Sequence, residues 1–150
     1  MMKNLAGHPE FSFHHIGVAT KNLESEIDFF RMLGYELHGR IFVDDLQGIE
    51  GCFMTGGGPK IELVRDINDS KTVAGLLSKQ ITLYHIAYRV LSLSTAVAFT
   101  KNSRGRVVRY PLRATAFEGE SVMFVVFRNN VLIEFIGVDD LAIDSHMVTP

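Results

Sequence analysis

The sequence predicts an α+β domain made of two copies of one β-α-β-β-β module, and three observations predict it. First, sliding the 150-residue chain on itself by 70 positions, without a gap, brings His15 onto His85, Ile16 onto Ile86, Leu23 onto Leu93 and Phe29 onto Phe99. The run "PKIELV" (59 to 64) likewise answers to "VLIEFI" (131 to 136), with Glu62 meeting Glu134 at an offset of 72. Second, each copy shows strand-like alternation, then helical spacing, then three more strand-like runs. Third, a hydrophobic content of 47% and a charge balance of 15 basic against 17 acidic residues describe one compact domain with a core. The expected division of residues 1–150 is a first module over 11–66, a linking helix over 68–80 and a second module over 82–137.

The first module opens on a strand at 11–19. Leu23, Ile27 and Phe30 then fall at i, i+4 and i+7, with Asn22 placed to cap the helix and Gly34 to close it. "YELHGRIFV", "IEGCFMT" and "KIELVR" follow as strands, with "GGGP" as hairpin punctuation. The link "DINDSKTVAGLLSKQI" is polar at its start and apolar at Val73, Leu76 and Leu77, which predicts a short helix. The second module repeats the order: a strand at 83–90, helical spacing at Leu93, Val97 and Thr100 with Ser92 or Ser94 as cap and Gly105 as stop, then "RVVRYPLRA", "SVMFVVF" and "VLIEFIG" around an "RNN" turn.

Composition also narrows the partners. Cys52, the single cysteine, cannot form an internal disulfide, and the amino end "MMKNLAGHPEF" lacks the apolar run of a signal peptide, so a reducing cytoplasm is the expectation. No apolar run reaches the length of a spanning helix. A net charge of −2 gives no electrostatic case for nucleic acid or an anionic membrane. Arg104, Arg106, Arg109 and Arg113 crowd into ten residues and are candidate contacts for an anionic substrate group, since guanidinium meets phosphate and carboxylate bidentately.

Strand alternation assigns the candidate site. Phe11, Phe13, His15, Gly17 and Ala19 are expected on one face of the first strand, and Ser12, His14, Ile16 and Val18 on the other, under the helix. Only one of the adjacent histidines then faces a site. His15 has small neighbours on its own face, and His85 has the same setting beside Ala87. Glu62 and Glu134 each stand inside an apolar run, where a lone carboxylate is costly unless paired or metal-bound. A histidine alone in a strand is ordinarily a hydrogen-bonded core or edge residue, and His8, His14, His38 and His146 are read so. Two histidines and two glutamates at matched places in two modules form a ligand set for one divalent ion of the Zn, Ni, Co, Mn or Fe kind, with two octahedral positions left for water or substrate.

The paired openings "HHIGVATKNLE" and "YHIAYRVLSLS", with the closings "IELV" and "IEFI", resemble the vicinal oxygen chelate superfamily, which contains glyoxalase I, methylmalonyl-CoA epimerase, extradiol dioxygenases and bleomycin-binding proteins. The linker "NDSKTVAGLL" before "YHIAYRV", together with "QGI" at 47–49, looks most like the methylmalonyl-CoA epimerases. The resemblance implies two modules whose curved mixed sheet surrounds a metal-lined cavity, with ligands at His15, Glu62, His85 and Glu134 and a dimer as the expected assembly. It implies proton transfer at the carbon next to a carbonyl, on an acyl-CoA such as methylmalonyl-CoA. Glu62 and Glu134 are the expected proton carriers, because Gly51 stands where some of these epimerases carry a glutamate base and Glu50 falls on the opposite face. A glyoxalase-type lyase on a thiohemiacetal is the alternative enzyme. A metal-free binder of the bleomycin-resistance kind is the alternative of another class.

Overall fold

The computed structural model describes residues 10–141. Its elements are β1 (Phe11–Ala19), α1 (Leu23–Met32), β2 (Glu36–Asp44), β3 (Ile49–Thr55), β4 (Ile61–Asp66), α2 (Ala74–Ser78), β5 (Leu83–Ser92), α3 (Leu93–Asn102), β6 (Arg106–Arg113), β7 (Ser121–Val126) and β8 (Leu132–Val138). They form one open, curved eight-stranded sheet in the order β2-β3-β4-β1-β5-β8-β7-β6. β1 runs parallel to β4, and β5 runs parallel to β8. The two first strands meet antiparallel at the centre, so the strand order reads the same outward from the β1–β5 seam in both halves.

Each helix forms where its spacing and caps favour it. The Asn22 side chain accepts from the Ser25 amide at 3.0 Å, and Gly34 takes the left-handed φ of +91° that ends α1. At the end of α3 the left-handed residue is Arg104 (φ +56°) rather than the expected Gly105. Gly105 is needed for space instead, because a Cβ there would stand 2.8 Å from Val125 and 2.9 Å from Phe127. The start of α3 is capped by Asp140, which accepts from the amide and hydroxyl of Ser94, and not by Ser92. The linking helix is shorter than expected. Asp66 accepts from the Val73 and Ala74 amides, and the single turn that follows ends at Ser78.

Both helices lie on one side of the sheet. Leu23 and Ile27 of α1 pack on Val18, Cys52, Met54, Ile61 and Leu63, while Leu93 and Ala96 of α3 pack on Phe11, Val90, Val125 and Phe135. Cys52 is fully buried there, and burial pushes its thiol up to about 11, which makes it a packing residue. The opposite side carries two smaller clusters, one of Ala19, Ile49, Val64 and Val73, the other of Ala87, Phe117, Phe124 and Ile136. Between these two clusters lies the site.

Candidate metal centre

Strict alternation fails in β1, and the failure shapes the site. Phe13 pairs with Tyr88 and His15 with Ala87, so His14 is an extra residue, a β-bulge. Beyond it the faces exchange. Phe11 packs under α3 and Phe13 lies edge-on to Tyr88, on the helix side rather than on the face of His15. His14 turns to the same side as His15, and both rings meet Phe53 and Phe117. The second module uses the same device: Gly17 pairs with His85 and Val18 with Leu83, so Tyr84 is the extra residue. Tyr84 stands 70 positions after His14. It lines the same cavity as Glu62 and Glu134, and burial, with the nearby charges of Glu62 and Glu134, holds its phenol well above the ordinary range.

Two rows across the sheet bring the ligand-type residues together. In one row Glu62, Gly17 and His85 are neighbours on β4, β1 and β5; in the other His15, Ala87 and Glu134 are neighbours on β1, β5 and β8. The small residue in each row leaves room above it for the histidine across the seam. His15, Glu62, His85 and Glu134 are all buried. The Nε2 atoms of His15 and His85 are 2.9 Å apart, and Glu134 Oε2 lies 3.2 Å from the first and 3.0 Å from the second. Glu62 Oε2 is 3.3 Å from His15 Nε2.

The donor set fits a cation. Ligands about 2.1 Å from one ion stand about 3.0 Å apart when adjacent in an octahedron and about 3.4 Å in a tetrahedron, close to the observed 2.9 to 3.3 Å. His15, Glu62 and His85 each offer one ligand atom, and these atoms lie within 4.8 Å of one another. Glu134 Oε2 is buried close to both imidazoles without a directed hydrogen bond to either, as a group converging on a common point would be. Burial and the charge of Glu134 push the Glu62 carboxyl upward. For Glu134 burial opposes ionisation, but the His85 charge and the close contacts of both imidazoles outweigh it and hold the carboxyl low.

His14 joins the site as the residue that orients His15. Its Nδ1 is 2.8 Å from His15 Nδ1. For the His15 Nε2 lone pair to face the cluster, its Nδ1 must carry the proton and donate it to a neutral His14. Burial, then the His15 charge, lowers His14 to about 4, so it is a neutral acceptor at pH 7. We expect His14→Ala to weaken divalent-ion affinity about tenfold to a hundredfold, measured by titration with a competing chelator. His15→Ala should abolish stoichiometric binding. Unchanged affinity in His14→Ala would remove this role.

The cluster opens into a cavity of about 230 Å³ lined by Phe42, Gln47, Glu62, Tyr84, Arg109 and Glu134 among others. That is smaller than the 300–1,000 Å³ of sites that enclose a drug-sized ligand, so it holds a small molecule or one end of a larger one. Of the four clustered arginines, only Arg109 lines it; Arg104, Arg106 and Arg113 are exposed. Gly51 faces this side, but its space is taken. A Cβ there would stand 2.5 Å from the Leu63 carbonyl oxygen and 2.8 Å from the Phe42 ring. Glu50 lies on the helix side, paired with Arg65. His38 is exposed on β2, and His8 and His146 lie outside the described residues.

Sequence reasoning missed His14, Tyr84 and the plug formed by Phe42. The 70-residue offset did pair His14 with Tyr84, but a bulge leaves no mark in an alternation pattern.

A mixed sheet built from two β-α-β-β-β modules, with a His/Glu cluster at the seam, defines a paired-module fold with a metal-type site. Residues 14–124 match the family described as the Glyoxalase/Bleomycin resistance protein/Dioxygenase superfamily, and the chain belongs to it. No curated protein sequence matches the chain. Among solved structures, a hypothetical protein from Bacillus halodurans is similar at TM-score 0.73 and 24% identity, over 88% of this chain and 97% of that one. Methylmalonyl-CoA epimerase from Mycobacterium tuberculosis is similar at TM-score 0.71 and 25% identity, over 84% and 87%. A Streptomyces coelicolor methylmalonyl-CoA epimerase variant in complex with 2-nitronate-propionyl-CoA follows at 0.65 and 23%, over 84% and 96%. Among the described residues no helix is long and apolar enough to cross a membrane.

Proposed function

We propose that this chain is a metal-dependent epimerase or isomerase that moves a proton at the carbon next to a thioester carbonyl, on an acyl-CoA such as methylmalonyl-CoA. The observation that carries the reading is the buried group of His15, Glu62 and His85, with Glu134 Oε2 against both imidazoles, beside a small cavity that Glu62 and Glu134 line. Similarity to the epimerase structures supports it. A divalent ion held by these four residues would supply Lewis acidity toward the negative charge that develops on the substrate oxygens.

The chain's own residues have three tasks. His14 fixes the ring of His15 through the Nδ1 contact. Phe42, Phe117 and Phe124 line the cavity and exclude water, which strengthens every charge interaction inside it. Glu62 and Glu134 carry the proton. They belong to opposite modules and approach the cluster from β4 and β8, so each can serve a different face of the substrate carbon. With Gly51 closed in by Phe42, no other carboxylate among the described residues lines the cavity.

The test uses protein purified without chelator, its metal content measured, incubated with methylmalonyl-CoA in deuterated water while exchange at the α-carbon is followed by NMR. The expected result is metal-dependent exchange that falls about 10²- to 10⁴-fold in Glu62→Gln or Glu134→Gln with the ion still bound. The closed Gly51 position gives a second reading its one support: a superfamily member that binds its ligand without turning it over. Absence of exchange above the metal-free control, across a panel of acyl thioesters and thiohemiacetals, would favour that reading.

A further inference from the structure

Arg109 is aimed into the cavity by a third bulge. Val107 pairs with Val125 and Arg109 with Phe124, so Val108 is the extra residue, and Val108 and Arg109 both line the cavity. The guanidinium sits over the Phe124 ring at 6.0 Å, which holds it in place by a cation–π contact. Among the described residues it has no ion-pair partner, whereas Arg31, Arg65 and Arg89 each have one. The guanidinium is part-buried and lines the cavity, so its N–H donors are placed to meet an anion that enters there.

The register shows where that anion belongs. Arg109, Phe124 and Glu134 are successive neighbours across β6, β7 and β8. Two strand spacings separate the first from the last, about 10 Å between backbones. Arg109 and Glu134 therefore share one row of the sheet with Phe124 between them, and both line the same cavity, so one small ligand there can meet both groups.

We propose that Arg109 is a specificity-determining residue whose guanidinium binds a carboxylate carried by the acyl group, restricting the site to acyl thioesters that bear this negative charge. The assignment rests on the acyl-thioester reading of the site. The small cavity favours the acyl carboxylate over the phosphates of the coenzyme as the source of the anion. Arg104, Arg106 and Arg113, exposed on the same segment, take no part.

Metal-loaded protein is titrated calorimetrically with methylmalonyl-pantetheine and with the neutral analogue 2-methylbutanoyl-pantetheine, neither of which carries the coenzyme phosphates. Arg109→Gln should weaken the anionic ester about tenfold to a hundredfold and the neutral one by less than about threefold, with Arg109→Lys between. Lys60→Gln should change neither, since Lys60 sits over Phe53 in the first module as Arg109 sits over Phe124, yet does not line the cavity. Equal losses for both esters would make Arg109 a packing residue and overturn the proposal, as would unchanged affinity for the anionic ester or a wild type that binds neither. Repeating the titration with the two corresponding CoA esters locates the anion: a loss in Arg109→Gln that appears with the CoA esters and is absent with the pantetheine esters would assign it to the coenzyme phosphates and overturn the proposal too. Wild-type protein that prefers the anionic ester but shows no α-carbon exchange would sink the epimerase reading and leave Arg109 standing.

Discussion

Replacing Gly17 by alanine is expected to disable the candidate metal centre without altering any of the proposed ligand residues. Gly17 lies between Glu62 and His85 in one row of the sheet, and the His85 ring leans over it. A Cβ at Gly17 would stand 2.0 Å from His85 Cε1 and 2.2 Å from its Nδ1. No carbon tolerates such an approach, so the ring must leave and take its Nε2 away from the 2.9 Å contact with His15. Losing one well-placed ligand should lower divalent-ion affinity by at least about a hundredfold, and overpacking should lower stability by about 1–3 kcal/mol. The matched position in the other row gives the control. Ala87 lies between His15 and Glu134 and already carries a Cβ, so Ala87→Gly should keep the ion and lower stability by only about 0.5–1 kcal/mol of backbone entropy plus the loss of a buried methyl. Ion titration and thermal melting of both variants decide the matter. Wild-type affinity in Gly17→Ala would show that His85 is not held where the row places it.

The contrast between Gly17 and Ala87 also indicates how much of this protein was legible in its sequence. The duplication was, because hydrophobic spacing, caps and matched histidines and glutamates recur at nearly one offset, and each of these is a local property of the chain. The convergence of His15, Glu62, His85 and Glu134 followed from that duplication, since equivalent residues on two first strands and two last strands meet once β1 and β5 pair. What was not legible is whatever depends on a broken register. The bulges at His14, Tyr84 and Val108 turn side chains toward the cavity that alternation assigns elsewhere or leaves unassigned. A bulge is decided by the partner strand and the packing beneath it. The end of α3 makes the same point on a smaller scale, for Arg104 took the left-handed turn while Gly105 was required by the crowding of Val125 and Phe127.

Gly51→Glu is expected to lose stability rather than to install a new base. Sequence reasoning noticed Gly51 as a missing carboxylate, which makes the substitution look like a repair. The structure gives a different account. Gly51 lies on β3 between Phe42 of β2 and Val64 of β4, and its Cβ position is blocked by the Leu63 carbonyl oxygen at 2.5 Å and the Phe42 ring at 2.8 Å. The ring can rotate away, but the carbonyl belongs to the backbone of β4, the strand that carries Glu62. A glutamate must therefore distort β4, and its carboxylate would join Glu62 and Glu134 in a cavity that already holds two acidic groups. The combined penalty should be about 3 kcal/mol or more, seen as a melting temperature lowered by ~10 °C for a domain of this size. Adding Phe42→Ala should recover only part of the loss, because it frees the ring contact and not the carbonyl. Ion affinity should fall with the single change, since Glu62 moves with β4. A Gly51→Glu protein that melts with the wild type and exchanges the substrate α-proton faster would show that the position is open after all, and that Phe42 is a movable lid rather than a fixed wall.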